Sequence, residues 1–179
     1  MNDVKLAWGL QGHKNTEERS KWETPWALFK YAESALGVKF ILDAAASAVN
    51  RKCLLFYDEK ISGLTNPWQS WTWCNPPYTQ TAAFVKKAVE EKHKGMSSVV
   101  MTYAVTDVAW FHEFFDDITE VIFIKGRVKS IDPDTGKQSK KAPAKGHMLV
   151  VFDASVDVKD TTCSVLDYKN KTSSVRWGK

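Results

Sequence analysis

The segment Asn75-Pro76-Pro77-Tyr78 is where residue type and spacing speak most directly of chemistry. Two consecutive prolines fix two φ angles near about −65° and remove two backbone donors. The residue ahead of a proline is pushed to an extended conformation. The product is a stiff turn with bare carbonyls that projects the Asn75 amide at one end and the Tyr78 ring at the other. The Asn75 side-chain oxygen and the Pro76 carbonyl can accept the two hydrogens of a planar amino group while an aromatic face stacks on it. An exocyclic amine is a poor nucleophile because its lone pair is delocalised. With both hydrogens held, the nitrogen can pyramidalise and aim that lone pair at an electrophilic methyl group for in-line displacement. No strong base is needed, and no histidine lies nearby in sequence. An amine within duplex DNA would first have to be flipped out, with Tyr78 holding the base by stacking. The turn names a chemistry and not an acceptor: adenine or cytosine in DNA, an RNA base and a protein glutamine all carry such a nitrogen. The plain structural alternative is a Pro-Pro exit from a strand with Tyr78 packed on the core. An apolar strand before the turn and an amphipathic helix after it weigh against that alternative.

The elements that must position this turn can be read around it. Residues 70–74 form a Trp-rich strand candidate that the turn stops, and a helix follows over about 81–94. That helix carries Phe84, Val85, Ala88 and Val89 on one face and Lys and Glu on the other. Two short apolar runs, 38–42 and 54–57, each end at an acid, Asp43 and Asp58. Ahead of them, Thr24 is suited to cap a helix with Pro25 in its first position and Gly37 at its end. Strands are expected over 97–103, 120–125 and 147–152, with weaker strand character at 163–166. A helix capped by Thr106 carries Val108, Phe111, Phe114 and Phe115. Strands alternating with helices predict an α/β fold, a mostly parallel sheet with helices on both faces. Segments 120–125 and 147–152 have no helix between them and are expected to pair as an antiparallel hairpin at the sheet edge. Ligands of such sheets sit at the carboxyl ends of the strands, so Asp43, Asp58 and Asn75 should gather along one edge.

The 179 residues, 44% hydrophobic and 26% charged, suit one domain with one core over 21–179, preceded by a polar arm at 1–20. No apolar stretch approaches the roughly 20 residues of a membrane span, and the start lacks a signal-peptide pattern, so a cytoplasmic protein is expected. Cys53, Cys74 and Cys163 form no C-x-x-C pair and the four histidines are scattered, which predicts reduced thiols and no metal. Net charge is +4, but residues 125–145 hold seven Lys and Arg against two Asp, a local +5 that leaves the rest near −1. A positive loop on a near-neutral body points to a polyanionic partner, the other reading being a loop kept polar for solubility.

Several separated motifs resemble, in order, the phage-type DNA N-6-adenine methyltransferases, also called Dam-like. Trp22-Glu23-Thr24-Pro25-Trp26-Ala27-Leu28-Phe29 looks like that family's W-x-T-P-x-x-L-F opening, and Phe40-Ile41-Leu42-Asp43-Ala44-Ala45-Ala46 like its F-x-L-D-A-A-A strand and turn. Asn50 and Cys53, Gly63-Leu64, Trp68, Trp73 to Tyr78, Trp110-Phe111-His112, Gly126-Arg127 and Val150-Val151-Phe152 also agree, so the likeness spans about residues 22 to 152.

The resemblance implies a Class I methyltransferase sheet of the Rossmann-like kind, with S-adenosyl-L-methionine as cofactor and adenine in DNA as acceptor. By the same resemblance Trp22, Thr24 and Pro25 wall the methionine end of the cofactor. Asp43, Ala44 and Ala45 take the place of the cofactor loop, and Asp43 reaches the cofactor's amino group or caps a helix. Asp58, with Glu59 adjoining it, stands where an acid holds the ribose hydroxyls. Asn75, Pro76, Pro77 and Tyr78 are then catalytic. The stretch 125–146 becomes a mobile DNA-contacting loop, with phosphate contacts from Arg127, Lys129, Lys137, Lys140, Lys141 and Lys145. This chain departs from the wider methyltransferase pattern in carrying Asp-Ala-Ala-Ala-Ser in place of a Gly-rich loop. It also has Ser62 where relatives often carry an acid. The remaining readings are a methyltransferase acting on another planar amino nitrogen and a catalytically silent nucleic-acid-binding module, which would have no need of Asn75. So short a chain leaves little room for a separate target-recognition domain, so a short recognition sequence is expected; the oligomeric state is left open, a monomer being one compatible state.

Overall fold

The computed structural model describes residues 23–132, 135–156 and 161–177. The arm expected at 1–20 and Trp22 lie outside the described residues.

The first helix, α1 (Trp26–Leu36), starts one residue later than its sequence suggests. Pro25 is the N-cap residue, its carbonyl accepting from the Leu28 and Phe29 amides at 3.0 and 3.2 Å. Thr24 makes no cap; its side chain turns instead toward Met101 and Asn75. At the other end Gly37 adopts φ 68°, a left-handed conformation that costs glycine nothing, and its closing bonds return to Glu33 and Ser34. The apolar face of α1 buries Leu28, Phe29 and Ala32, and Phe29 meets Phe40 and Trp73 with ring centroids 5.3 Å apart in each case. Tilted and edge-on aromatic pairs of this kind add about 0.5–1.5 kcal/mol each to the burial of their area.

Eight strands are described: β1 (Leu42–Asp43), β2 (Leu55–Phe56), β3 (Thr72–Cys74), β4 (Ser98–Tyr103), β5 (Glu120–Ile124), β6 (His147–Phe152), β7 (Thr162–Asp167) and β8 (Thr172–Trp177). They form one sheet in the order β2-β1-β3-β4-β6-β5-β7-β8. The pairings make β1 to β5 and β7 parallel to one another, with β6 and β8 reversed. Helices cover both faces. On one side lie α2 (Thr81–Lys92) and α3 (Ala109–Glu113), where Phe84, Val85, Ala88, Trp110 and Phe111 pack on Val100, Val121, Met148 and Val150. On the other side α1 packs on Val99, Met101, Ile122, Leu149 and Val151. The alternation of the two sets along β4 and β6 is the period-2 signature of strands buried on both faces.

Segments 120–125 and 147–152 do pair antiparallel, but not at an edge. β6 is inserted between β4 and β5, and its register with β4 runs from Ser98–Phe152 to Tyr103–His147. The antiparallel edge hairpin is β7–β8, from a tail whose polar sequence hides its strands because one end of the pair lies at the rim of the sheet. The HMLVVF run is buried at every position, which an edge strand could not be.

Helix α2 holds a second departure from amphipathic expectation. Lys87 and Glu91 fall on its supposed polar face but are buried. Glu91 accepts from Lys87 at 2.7 Å, Lys94 at 2.9 Å and the Trp68 amide at 3.2 Å, tying the loop before β3 to the helix after it. These partners hold the Glu91 carboxyl below the usual range against the upward push of burial. The expected Thr106-capped helix is also shorter: α3 begins after Val108 and gives way to a 3-10 turn at Phe115–Asp117. All three cysteines are unpaired, Cys53 and Cys74 buried and Cys163 partly so.

Candidate active site

A cleft of about 800 Å3 opens at the carboxyl ends of the parallel strands. Asp43 closes β1, Asn75 follows β3, Tyr103 ends β4, and His147 begins the reversed β6, so one rim of the sheet supplies all four. The floor also includes Thr24, Ala45, Lys52, Trp73, Pro76 and Pro77.

The proline turn behaves as its covalent chemistry requires. Pro77 sits at φ −53° and ψ 133°, and its carbonyl accepts from the Gln80 amide at 2.8 Å to close a 3-10 turn over Tyr78–Gln80. Asn75 Nδ2 donates to Thr24 Oγ1 at 3.1 Å, and that hydroxyl in turn donates to Met101 Sδ at 3.8 Å. Because the nitrogen end is committed to Thr24, the Asn75 oxygen is the end of the amide left to accept from a ligand.

Tyr78 is stacked on Tyr103, centroids 3.9 Å apart and planes 14° from parallel, and its hydroxyl meets His147 Nε2 at 3.1 Å. The Tyr78 side chain is still 43% exposed, so a further planar group can join the stack. His147 is buried, and burial, followed by the field of Arg127, pushes its pKa down to about 4. It is therefore a neutral imidazole at physiological pH, a hydrogen-bonding partner for Tyr78 with no charge. Its distance in sequence hid it. Only the Tyr103–His147 register across β4 and β6 brings it to the turn.

Asp43 is the second buried polar group at the rim. Oδ2 accepts from the Lys52 amide at 2.9 Å. Oδ1 is buried without a well-formed hydrogen bond, the Ala45 amide lowering the pKa without meeting bonding geometry. Burial raises the Asp43 carboxyl to about 6 despite these amides and the Lys52 cation. Beside it the Lys52 ammonium, whose side chain is 1% exposed, forms an ion pair with Glu23 and lies 4.3 Å from the centre of the Trp26 ring. Burial holds Lys52 below the usual lysine range, opposed by Glu23 and Asp43.

The basic segment is tied down over this cleft. Ile131 pairs with Glu23 through backbone bonds of 2.8 and 2.9 Å, and bridges to Gln138 on its own loop. This brings Lys141 and Lys145 onto the cleft wall, with Ser130 and Ser139.

The whole arrangement, an Asn-Pro-Pro-Tyr turn and a buried carboxylate on one rim beneath a basic loop, agrees with what the chain resembles. The model of the family described as DNA N-6-adenine-methyltransferase (Dam) matches residues 11–179. The chain belongs to the DNA N-6-adenine-methyltransferase (Dam) family. It is 32% identical over 165 residues to a DNA N-6-adenine-methyltransferase of Haemophilus phage HP1 (strain HP1c1), covering 88% of this chain and 95% of that one. It is 33% identical over 136 residues to a protein of the same name from Escherichia phage T1, covering 66% of this chain and 57% of that one.

Within this member of the Dam family, the residues singled out from sequence divide clearly. Thr24, Asp43, Ala45, Asn75, Pro76, Pro77, Tyr78, Lys141 and Lys145 line the cleft. Pro25 does not, being the cap of α1, and Ala44 is buried in the core. Asp58 is turned away, its Oδ1 accepting from the Lys60 and Ile61 amides at 3.0 Å each, while the adjoining Glu59 lines the cleft. Arg127, Lys137 and Lys140 are exposed and Lys129 is half-buried, none of them on the wall. Glu23, Lys52, Tyr103 and His147 were missed. Lys52 follows Asn50 in the motif region and could have been found there; Tyr103 and His147 carry no local signal.

Proposed function

We propose that this chain transfers a methyl group from S-adenosyl-L-methionine to N-6 of an adenine flipped out of DNA, with Asn75 to Tyr78 as the reacting surface. The observation that carries the reading is the Asn75 amide, oriented by Thr24 with its oxygen left to accept, beside an aromatic stack one member of which is exposed. When bound, the cofactor supplies an electrophilic methyl group on a sulfonium. The chain's own part is to hold and orient. Asn75 Oδ1 and the Pro76 carbonyl accept the two hydrogens of the adenine amine, so the nitrogen pyramidalises and its lone pair is withdrawn from conjugation with the ring. Tyr78, backed by Tyr103 and fixed by His147, stacks on the base and offsets part of the cost of unstacking it from the duplex. The amine proton passes to solvent after transfer, since His147 is too weak a base to take it. The buried Asp43 Oδ1 without a well-formed bond fits a cofactor ammonium, and Glu59, which lines the cleft where Asp58 does not, is the acid available to the ribose hydroxyls.

The direct test supplies tritiated methyl donor with DNA, RNA or protein, followed by digestion of the product. Label confined to N-6-methyladenine in DNA supports the reading; label in cytosine, RNA or glutamine moves it to another acceptor, and no label removes it.

Asp43 gives the reading a pH signature. Its carboxyl must be ionised to meet an ammonium, and it protonates as pH falls through about 6. Affinity for S-adenosylhomocysteine should therefore be flat above that pH and weaken up to about tenfold per unit below it. In Asp43→Asn the same titration by calorimetry should be level from about pH 5 to 7.5. A wild-type profile equally level would detach Asp43 from the ligand.

For the basic loop, substituting Lys137, Lys140 and Lys141 together by alanine should flatten the dependence of log Kd on log salt by up to about 2.7, about 0.9 for each phosphate no longer neutralised. Anisotropy of a labelled duplex between about 50 and 200 mM salt (the range over which about 10³-fold changes are typical for such proteins) measures it. An unchanged slope would take the loop out of DNA binding.

A further inference from the structure

Residues 130–139 of the basic loop form a hairpin. The Ser139 amide donates to the Ser130 carbonyl at 2.9 Å, the Asp132 amide donates to the Lys137 carbonyl at 2.9 Å, and Gly136 turns the tip at φ 65°. Along an antiparallel ladder, successive residues direct their backbone groups to opposite sides. Ile131 lies between the two bonded positions, so its own amide and carbonyl point away from the hairpin. Glu23 takes both. The Ile131 amide donates to the Glu23 carbonyl at 2.9 Å, and the Glu23 amide donates to the Ile131 carbonyl at 2.8 Å.

The next residue after Glu23 is Thr24, whose buried hydroxyl accepts from Asn75 Nδ2 at 3.1 Å. That hydroxyl spends its hydrogen on Met101 Sδ, so it offers Asn75 a lone pair and selects the nitrogen end of the amide. Thr24 is followed by Pro25, the N-cap residue of α1. It is thus clamped between the start of a helix and a two-bond ladder to the basic hairpin. Freed from the ladder, the segment at Thr24 keeps only one of its two backbone anchors. The Asn75 amide could then turn over, presenting a donor where the acceptor amine needs an acceptor.

We propose that Ile131 is a positioning residue for the methyl transfer: its ladder with Glu23 holds Thr24 in place, and Thr24 holds the Asn75 oxygen toward the acceptor amine. The proposal rests on the methyl-transfer reading above and adds that the hairpin acts on the chemical step as well as on DNA affinity. Lys137 and Lys140 are exposed on the same hairpin. Phosphates that engage them steady the strand of Ile131, so DNA reaching the hairpin favours the aligned amide.

Single-turnover rates at saturating DNA and S-adenosyl-L-methionine test the coupling. Ile131→Pro removes the donor to Glu23 and leaves every lysine in place. It should slow transfer about 3- to 10-fold, the range for one lost neutral hydrogen bond. Thr24→Val keeps the shape of the side chain without its hydroxyl and should slow transfer by about the same factor. Thr24→Ser retains the hydroxyl and should stay within about threefold of wild type. The double variant should match Thr24→Val alone within about twofold, because the ladder acts only through that hydroxyl. A double variant showing the product of the two losses, an Ile131→Pro rate equal to wild type, or Thr24→Ser as slow as Thr24→Val would each overturn the proposal. If Ile131→Pro also loses DNA affinity by anisotropy, Ile131→Gly takes its place, since it keeps the N–H and only loosens the strand. A smaller loss with the same non-additivity is then expected, and losses that multiply overturn the proposal. A wild-type protein that transfers no methyl group to adenine in DNA would overturn the methyl-transfer reading itself. Normal wild-type transfer with independent effects of Ile131 and Thr24 overturns the coupling alone.

Discussion

Asn75→Ala will lower the rate of methyl transfer by at least about 10²- to 10³-fold, the loss typical when one preorganised hydrogen-bonding group at a reacting centre is removed. Affinity for S-adenosylhomocysteine should change by no more than about twofold, because an interaction with the acceptor amine leaves ground-state cofactor binding alone. The expectation follows from the orientation of the amide. Asn75 Nδ2 is held by Thr24 at 3.1 Å, and Thr24 Oγ1 is anchored on Met101, so the acceptor oxygen is fixed before substrate arrives. A methyl side chain keeps the turn, which is shaped by Pro76 and Pro77, but removes the acceptor. Single-turnover rates with saturating DNA, alongside calorimetry of the same preparation, separate the two quantities. A variant that keeps more than a tenth of the wild-type rate would show that the Asn75 oxygen does not hold the amine.

A second large effect is expected far from any reacting atom. Gly63 approaches the loop after β1 so closely that a Cβ there would lie 2.0 Å from the Ala44 carbonyl oxygen and 3.3 Å from a ring carbon of Phe84. The first distance is impossible between real atoms, and the obstacle is backbone, which cannot rotate away. Gly63 is also held from its other side, its carbonyl accepting from the buried Trp68 indole at 2.7 Å. Gly63→Ala must therefore push the segment at 63–68 away from Ala44, and overpacking of this kind costs about 1–3 kcal/mol, sometimes more. Since Ala44 adjoins Asp43 and Ala45, the displacement should also weaken cofactor binding. Urea unfolding should show a lower midpoint at unchanged slope, together with reduced affinity for S-adenosylhomocysteine. A midpoint equal to wild type would mean that the two segments separate freely. The small size of Gly63 is what lets its segment pack against the Ala-rich loop after β1.

These two positions show how differently parts of the molecule announce themselves. The turn at Asn75 was legible because proline restricts the backbone locally, whatever the rest of the chain does. The strand ends at Asp43 and Asn75 were legible for a related reason: an apolar run stopped by a polar or breaking residue marks the rim of a parallel sheet. Asp58 obeyed the same pattern and yet turned its carboxylate into its own loop amides, leaving Glu59 on the wall. One residue of rotation in a turn decides such a choice, and nothing in the local sequence encodes it. Lys87 and Glu91 misled for the converse reason. Helical periodicity assigns charged residues to solvent, but the partner that buries Glu91 is the Trp68 amide, 23 residues away.

The sequence by itself determined the alternation of strands and helices, the stiff Asn-Pro-Pro-Tyr turn at the end of β3 and the concentration of positive charge after Arg127. Each depends on properties that act within a few residues: proline geometry, apolar period and the count of charges. Only the tertiary structure decided that β6 enters the sheet between β4 and β5, and with that insertion came everything that completes the turn. The β4–β6 register sets His147 opposite Tyr103, puts both beside Tyr78, and leads the chain back so that the basic loop lies across the cleft. Strand pairing is chosen by the burial of whole faces against partners distant in sequence. The turn therefore could be read from its own residues, while the partners that stack on it, hold it and roof it could not.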